Sequence, residues 1–272
     1  MVRRYKGDFS DFIKFMHMYS VIVVKLSELL GKRFIREEDF KSPIGRALAG
    51  VMNYHNSGRY EERDYELARL LMLVKHLEEI KKYDVNLLNE LRSKINRDDA
   101  NYFGFRFEVA IASSLIRKKV KFIKTESPDY KISHNGKEIY IETTSTHITK
   151  PSLKDLKHKI KAAIRKKSKK NYCQPNTALF IDITNIYFHN LLRKQLIQSK
   201  ELKNYVKDIL KKAKFGSVVM FAYILNKKLN RFELNYIRVD SEAIDPILRD
   251  FLDKYYPIKG HIVQEFAIPD RG

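Results

Sequence analysis

The dipeptide Asn135-Gly136 restricts the fold of this chain more than any other stretch. It sits between two alternating runs, Tyr130 to Ser133 and Glu138 to Thr143. A two-residue hairpin turn needs positive φ at both central residues, and Asn-Gly meets that need at the least steric cost. Such a turn sets a register in which His134 faces Lys137, Lys131 faces Tyr140 and Asp129 faces Glu142. Directly opposed residues share a face, with Cβ atoms about 4.5–5.5 Å apart. Tyr130 with Ile141 and Ile132 with Ile139 make one face apolar, which reads as core. The other face then holds two carboxylates together.

Like charges placed opposite one another destabilise a sheet. A hard divalent cation relieves that repulsion, since Mg²⁺ is bound by one or two carboxylates plus water and substrate phosphate. A shifted turn, or two acids that simply face water, would relieve it equally well. The hairpin alone leaves these readings open.

Upstream, Gly104-Phe105-Arg106-Phe107-Glu108 opens an apolar helix with Phe105, Val109, Ala112, Leu115 and Ile116 at helical spacing. Glu108 on that helix, Pro128-Asp129 at a strand start and Glu142 on the next strand resemble the PD-(D/E)xK nuclease superfamily, the restriction-endonuclease-like fold. The resemblance covers roughly Asn101 to Thr184 and rests on the order of elements more than on the letters. It implies that Glu108, Asp129 and Glu142 bind Mg²⁺ or Mn²⁺, and that the substrate is nucleic acid, DNA in the first place. The family places a lysine two residues after the second acid; here that residue is Thr144, which carries no charge. Glu108, Asp129, Glu142 and Thr144 are therefore the catalytic candidates. Lys131, Lys157 and Lys161 are candidates for a replacement cation.

The wider chain agrees with an acidic partner. Its 272 residues carry a net charge of +20 with a pI near 9.7, a field that favours a polyanion. No apolar run reaches the ~20 residues that span a bilayer, and Met1 to Asp8 is not followed by a signal-peptide core. Nucleic acid is thus expected ahead of a membrane. The single Cys173 rules out an intrachain disulfide framework and suits a reducing, cytoplasmic setting. The His residues lack zinc-ligand spacing. Neither a P-loop nor a Gly-x-Ser-x-Gly elbow is present.

Residues 1–98 read as a helical region, with segments near Phe9 to Leu30, Pro43 to Tyr54, Glu61 to Lys82 and Val85 to Ile95. Scaffold, nucleic-acid contact and homodimerisation are roles open to it. Residues 99–272 read as a nuclease-like mixed-sheet domain flanked by helices, so the fold class is α+β or α/β. The order is a helix, three strands, a helix near Ser152 to Lys170, and a buried strand Thr177 to Ile183. Then come a helix near Ile186 to Lys212, strands Ser217 to Leu225 and Arg231 to Val239, a helix Glu242 to Tyr255 and a last strand at His261 to Phe266.

The helix after Glu142 is the densest basic stretch. Leu153, Leu156, Ile160, Ala163 and Ile164 form its apolar stripe, leaving Lys157, Lys159, Lys161, Arg165, Lys166, Lys169 and Lys170 for phosphates. Tyr172 follows as a stacking candidate. The expected function is metal-dependent hydrolysis of phosphodiester bonds. Two alternatives stand beside it: a degenerate nuclease fold that binds without cutting, and a basic structural protein with no metal.

Overall fold

Asn135 and Gly136 take φ of 48° and 76° in the computed structural model, and the ladder beside them has the register that their turn dictates. The structure describes residues 9–31, 42–93, 95, 99–146, 156–187, 199–226, 231–258 and 262–267. Leu153, the middle of the helix expected from Ile186, the tip of the turn before Arg231 and His261 lie outside the described residues. The chain divides into two compact units. One comprises Met1–Ser113 with Leu225–Phe232 and Phe266–Gly272; the other comprises Ser114–Ile224 with Glu233–Glu265. The division falls inside a helix rather than between residues 98 and 99.

The first unit is helical: α1 (Phe9–Leu30), α2 (Pro43–Asn56), α3 (Tyr60–Tyr83), α4 (Val85–Ser93) and the start of α5 (Asp99–Arg117). Local chemistry sets the ends. Gly31 stops α1 at φ 99°, a conformation that glycine adopts without steric cost. Ser42 caps α2 by accepting from Gly45 N–H at 2.9 Å, with Pro43 in the first turn. Asp84 accepts from Asn86 N–H at 2.8 Å ahead of α4. Stripes of Ile22 and Leu26, Leu48 and Val51, Leu70, Val74 and Leu77, and Leu88 and Leu91 are buried as helical periodicity requires.

The second unit contains most of a mixed sheet with strands in sequence order: β1 (Phe122–Lys124), β2 (Tyr130–His134), β3 (Lys137–Ser145), β4 (Thr177–Asp182), β5 (Ser217–Asn226), β6 (Arg231–Asp240) and β7 (Ile262–Ala267). β1, β2 and β3 pair antiparallel, while β3, β4 and β5 run parallel. A parallel pair needs a crossover, and α6 (Leu156–Ser168) lies between β3 and β4 in the chain. α7 (Ser199–Leu210) comes before β5, and α8 (Pro246–Tyr255) follows β6.

Every residue of β4 is buried, as a strand covered on both faces must be. Leu179 and Ile181 share a core with Ile160 and Ile164 of α6 and Leu202, Val206 and Leu210 of α7. Phe180 packs beside Phe221 at 5.1 Å and Tyr256 at 5.2 Å, between ring centroids. Arg238 is fully buried and joins Asp240 on its own strand to Asp253 on α8. The architecture is therefore mixed α and β, with helices on a sheet that holds Asp129 just ahead of β2 and Glu142 in β3.

Candidate active site

The site begins where the hairpin ladder ends. Its first pair is Tyr130 with Ile141, so Asp129 stands one residue ahead of the ladder. Asp129 Oδ2 accepts from the Thr143 N–H and from Thr143 Oγ1, both at 2.7 Å. Asp129 Oδ1 accepts from Lys124 Nζ at 3.0 Å. The carboxylate thus takes up a backbone donor that the ladder has left behind. Lys124 also donates to the carbonyls of Thr125 and Asp129 and lies over the Tyr130 ring, 4.9 Å from its centroid. With its side chain 1% exposed, Lys124 is a buried cation whose donors are all engaged locally.

Glu142, on β3, is 3% exposed. Its Oε1 accepts from Lys167 Nζ of α6. Its Oε2 is buried with no hydrogen-bond partner. The Tyr172 hydroxyl, which also reaches Ser127, approaches the same carboxylate without satisfying that oxygen. Burial and then the charge of Asp129 push the Glu142 pKa up, while Lys167 pulls against both. Burial followed by the Glu142 charge holds Tyr172 well above the ordinary phenol range. Asp129 and Glu142 therefore feel each other's charge, and each has its own lysine.

Beside this pair opens a cleft of about 760 Å³ whose walls include Lys131, Tyr140, Lys169, Lys170 and Tyr172. Lys131 is ion-paired with Glu138 at 2.5 Å, and the Tyr140 hydroxyl donates to the same acid at 2.8 Å. One basic rim comes from the hairpin, the other from the end of α6.

Glu108 is half-buried on the part of α5 that belongs to the helical unit. Thr144 is half-buried on β3, paired in register with Ile181. Lys157 is engaged with Glu201 of α7 and lies over the Tyr205 ring at 5.8 Å. Lys159 and Lys161 are half-buried; Arg165, Lys166, Lys169 and Lys170 are exposed. Among the described residues, no group of three or more His, Cys, Asp and Glu side chains is arranged to hold a metal ion.

Lys124, Thr143 and Lys167 are neighbours of the two acids that sequence reasoning passes over. A signal for both lysines is nevertheless present. Lys167 lies three residues after Ile164 and seven after Ile160, on the buried stripe of α6. Lys124 sits two residues after Phe122 and pairs with Tyr130, on the apolar side of the hairpin. A lysine at an apolar position needs an acid within reach. No protein family, no curated protein and no solved structure matches this chain.

Proposed function

We propose that the protein binds nucleic acid and hydrolyses its phosphodiester bonds at Asp129, Glu142 and Lys167, on a fold of the restriction-endonuclease-like kind. The observation that carries this reading is Glu142 Oε2, a buried carboxylate oxygen without a hydrogen-bond partner, next to the Asp129 charge. Leaving a buried acceptor unsatisfied costs on the order of 1–3 kcal/mol, more when it is charged. Such an oxygen is well suited to a ligand. Mg²⁺ or Mn²⁺ fits the donor chemistry, because a pair of carboxylates suffices when water and substrate phosphate complete the shell. Glu142 and Asp129 would hold the ion. When bound it lowers the pKa of an attacking water and neutralises phosphate charge.

The protein's own residues supply the setting. Thr143 and Lys124 fix the Asp129 carboxylate, so its orientation does not depend on substrate. Lys167 brings an ammonium to Glu142, near where negative charge grows on the phosphoryl oxygens, and preorganised charge of this sort is a main source of rate enhancement. Thr144 stands where a family lysine would be expected, and the cation arrives from α6 instead. Lys131, Lys169 and Lys170 line the adjoining cleft and suit phosphates.

A second reading has its own support. Lys124 on Asp129 and Lys167 on Glu142 balance the two acids without an ion, as a protein that binds nucleic acid and leaves it intact would need. One assay separates the two: labelled single- and double-stranded DNA and RNA incubated with Mg²⁺ or Mn²⁺. Cleavage is expected from wild type. It should fall by about 10²–10³-fold in Lys167→Ala and Glu142→Ala, the scale of removing one preorganised charge interaction. Thr144→Ala should retain most of it. Binding without product in either metal would establish the binding-only reading, and absence of binding would remove both.

A further inference from the structure

We infer that the cleft beside Glu142 takes an unstacked nucleotide, so that the protein acts on single-stranded in preference to duplex nucleic acid; this rests on the nucleic-acid reading above. Two tyrosines, Tyr140 and Tyr172, line the cleft. Tyr172 packs against the core shared by α6, β4 and α7, and its hydroxyl lies near Glu142 and Ser127. The Tyr140 hydroxyl is tied to Glu138. The Tyr140 hydroxyl is engaged within the protein and the Tyr172 hydroxyl lies near buried Glu142, so the rings are what these residues offer to a ligand.

Base faces in a duplex are hidden by stacking, and a protein meets only their edges in the grooves. An aromatic ring becomes useful when a base is splayed out and can stack on it. Asn171 and Gln174 add carboxamides to the same wall, groups that hydrogen-bond the edges of such bases. The cleft volume of about 760 Å³ falls within the range of small-ligand sites, ~300–1,000 Å³. That size suits a nucleotide unit and not a double helix.

The charges complete the arrangement. Lys169 and Lys170 lie just ahead of Tyr172 in sequence, and Lys131 lies on the hairpin wall. Phosphates flanking a base on Tyr172 therefore meet cations on more than one side. Because Tyr172 lines the cleft with its hydroxyl near Glu142, a base stacked on that ring brings its neighbouring phosphate towards Glu142 and Lys167. Base capture and placement of the scissile phosphate then become one event.

The test uses the full chain without divalent metal, so that nothing is cut. Short DNA and RNA strands carrying 2-aminopurine, single-stranded or annealed to a complement, are titrated at one salt concentration. Single strands should bind about tenfold or more tightly than duplex, with 2-aminopurine fluorescence quenched as it stacks. Tyr172→Ala should weaken single-strand binding by roughly tenfold, the scale of removing one base–aromatic stack, and abolish the quench. Tyr172→Phe should keep both. Equal or tighter duplex binding, or single-strand binding with unchanged fluorescence, overturns the inference while leaving the hydrolase reading intact. No binding to any nucleic acid overturns both. Should Tyr172→Ala fail to fold, the wild-type comparison decides alone.

Discussion

Glu142 is buried beside Asp129, and both circumstances favour its neutral form more than Lys167 favours its charged one. Its pKa is therefore higher in the folded chain than in the unfolded chain. For an acid shifted upwards, stability is greatest below the unfolded value and is lost as pH rises through the folded value. Glu142→Gln removes the cost of ionisation and leaves Lys167, 22% exposed, free to reach water. The variant should melt at a higher temperature than wild type near neutral pH. That advantage should shrink to nothing as pH falls below the ordinary glutamate range of about 4.3. Thermal denaturation followed by circular dichroism across that interval checks it; a constant difference at every pH would contradict it. Lys124 presents the opposite case. Its side chain is almost wholly buried against Asp129, so Lys124→Met strands a buried carboxylate. Breaking such a pair on one side costs about 3–5 kcal/mol. Urea denaturation should show that destabilisation, and most of the stability should return in Lys124→Met with Asp129→Asn.

Elements whose geometry follows from a few residues are legible in the sequence, and those that depend on long side chains are not. The hairpin belongs to the first kind: Asn135-Gly136 fixes the turn, and alternation then fixes every partner from His134–Lys137 to Tyr130–Ile141. β4 is legible as a short apolar run, and burial of all its residues is the physical reason. The start of α8 is less so, because Glu242 looks like a helix residue while Asp245 does the capping. Its side chain accepts from the Ile247 and Leu248 N–H groups, with Pro246 in the first turn. The lysines of the site belong to the second kind. Charge patterning does not single out Lys167 in the basic run of α6, yet its aliphatic stem follows Ile160 and Ile164 inwards and delivers only the ammonium to Glu142. α6 and the residues just after it consequently carry two classes of cation. Lys157 and Lys167 are paired within the protein, whereas Lys166 and Lys169 are exposed. Lys166→Ala with Lys169→Ala should flatten the dependence of log K on log salt by about 0.7–0.9 for each phosphate no longer neutralised. Lys157→Ala should change it less. Filter binding over a salt series measures both, and equal slopes for wild type and both variants would remove this face of α6 as a binding surface.

At the scale of the molecule, the change of pattern along the sequence and the division into compact units fall at different places. A change from helical to mixed pattern near residue 98 suggests a cut there, but the compact units divide at Ser113, inside α5. The reason is visible in the helix: Ile111 and Ala112 before the division and Leu115 after it are all fully buried, so the apolar stripe continues across it. Unit membership changes while secondary structure does not. Beyond the division, Ser114 Oγ lies 3.2 Å from the Tyr256 hydroxyl, and Lys118 Nζ donates to the Tyr255 carbonyl at 2.7 Å. These hydrogen bonds hold the end of α8, and they depend on Ser114 being presented on a formed helix. A fragment beginning at Ser114 keeps residues 114–117 of α5, too short a piece to nucleate, since isolated helices shorter than about 12–15 residues are marginal in water. A fragment beginning at Asp99 keeps the helix whole. The Asp99–Gly272 fragment should therefore melt at a distinctly higher temperature than the Ser114–Gly272 fragment. Its near-ultraviolet tyrosine dichroism, which reports Tyr255 and Tyr256 among others, should also stay closer to that of the full chain. Calorimetry and dichroism on the two fragments decide the matter. Matching transitions would mean that α5 before Ser114 does nothing to secure the sheet unit, and that a cut at Ser113 is a true domain boundary.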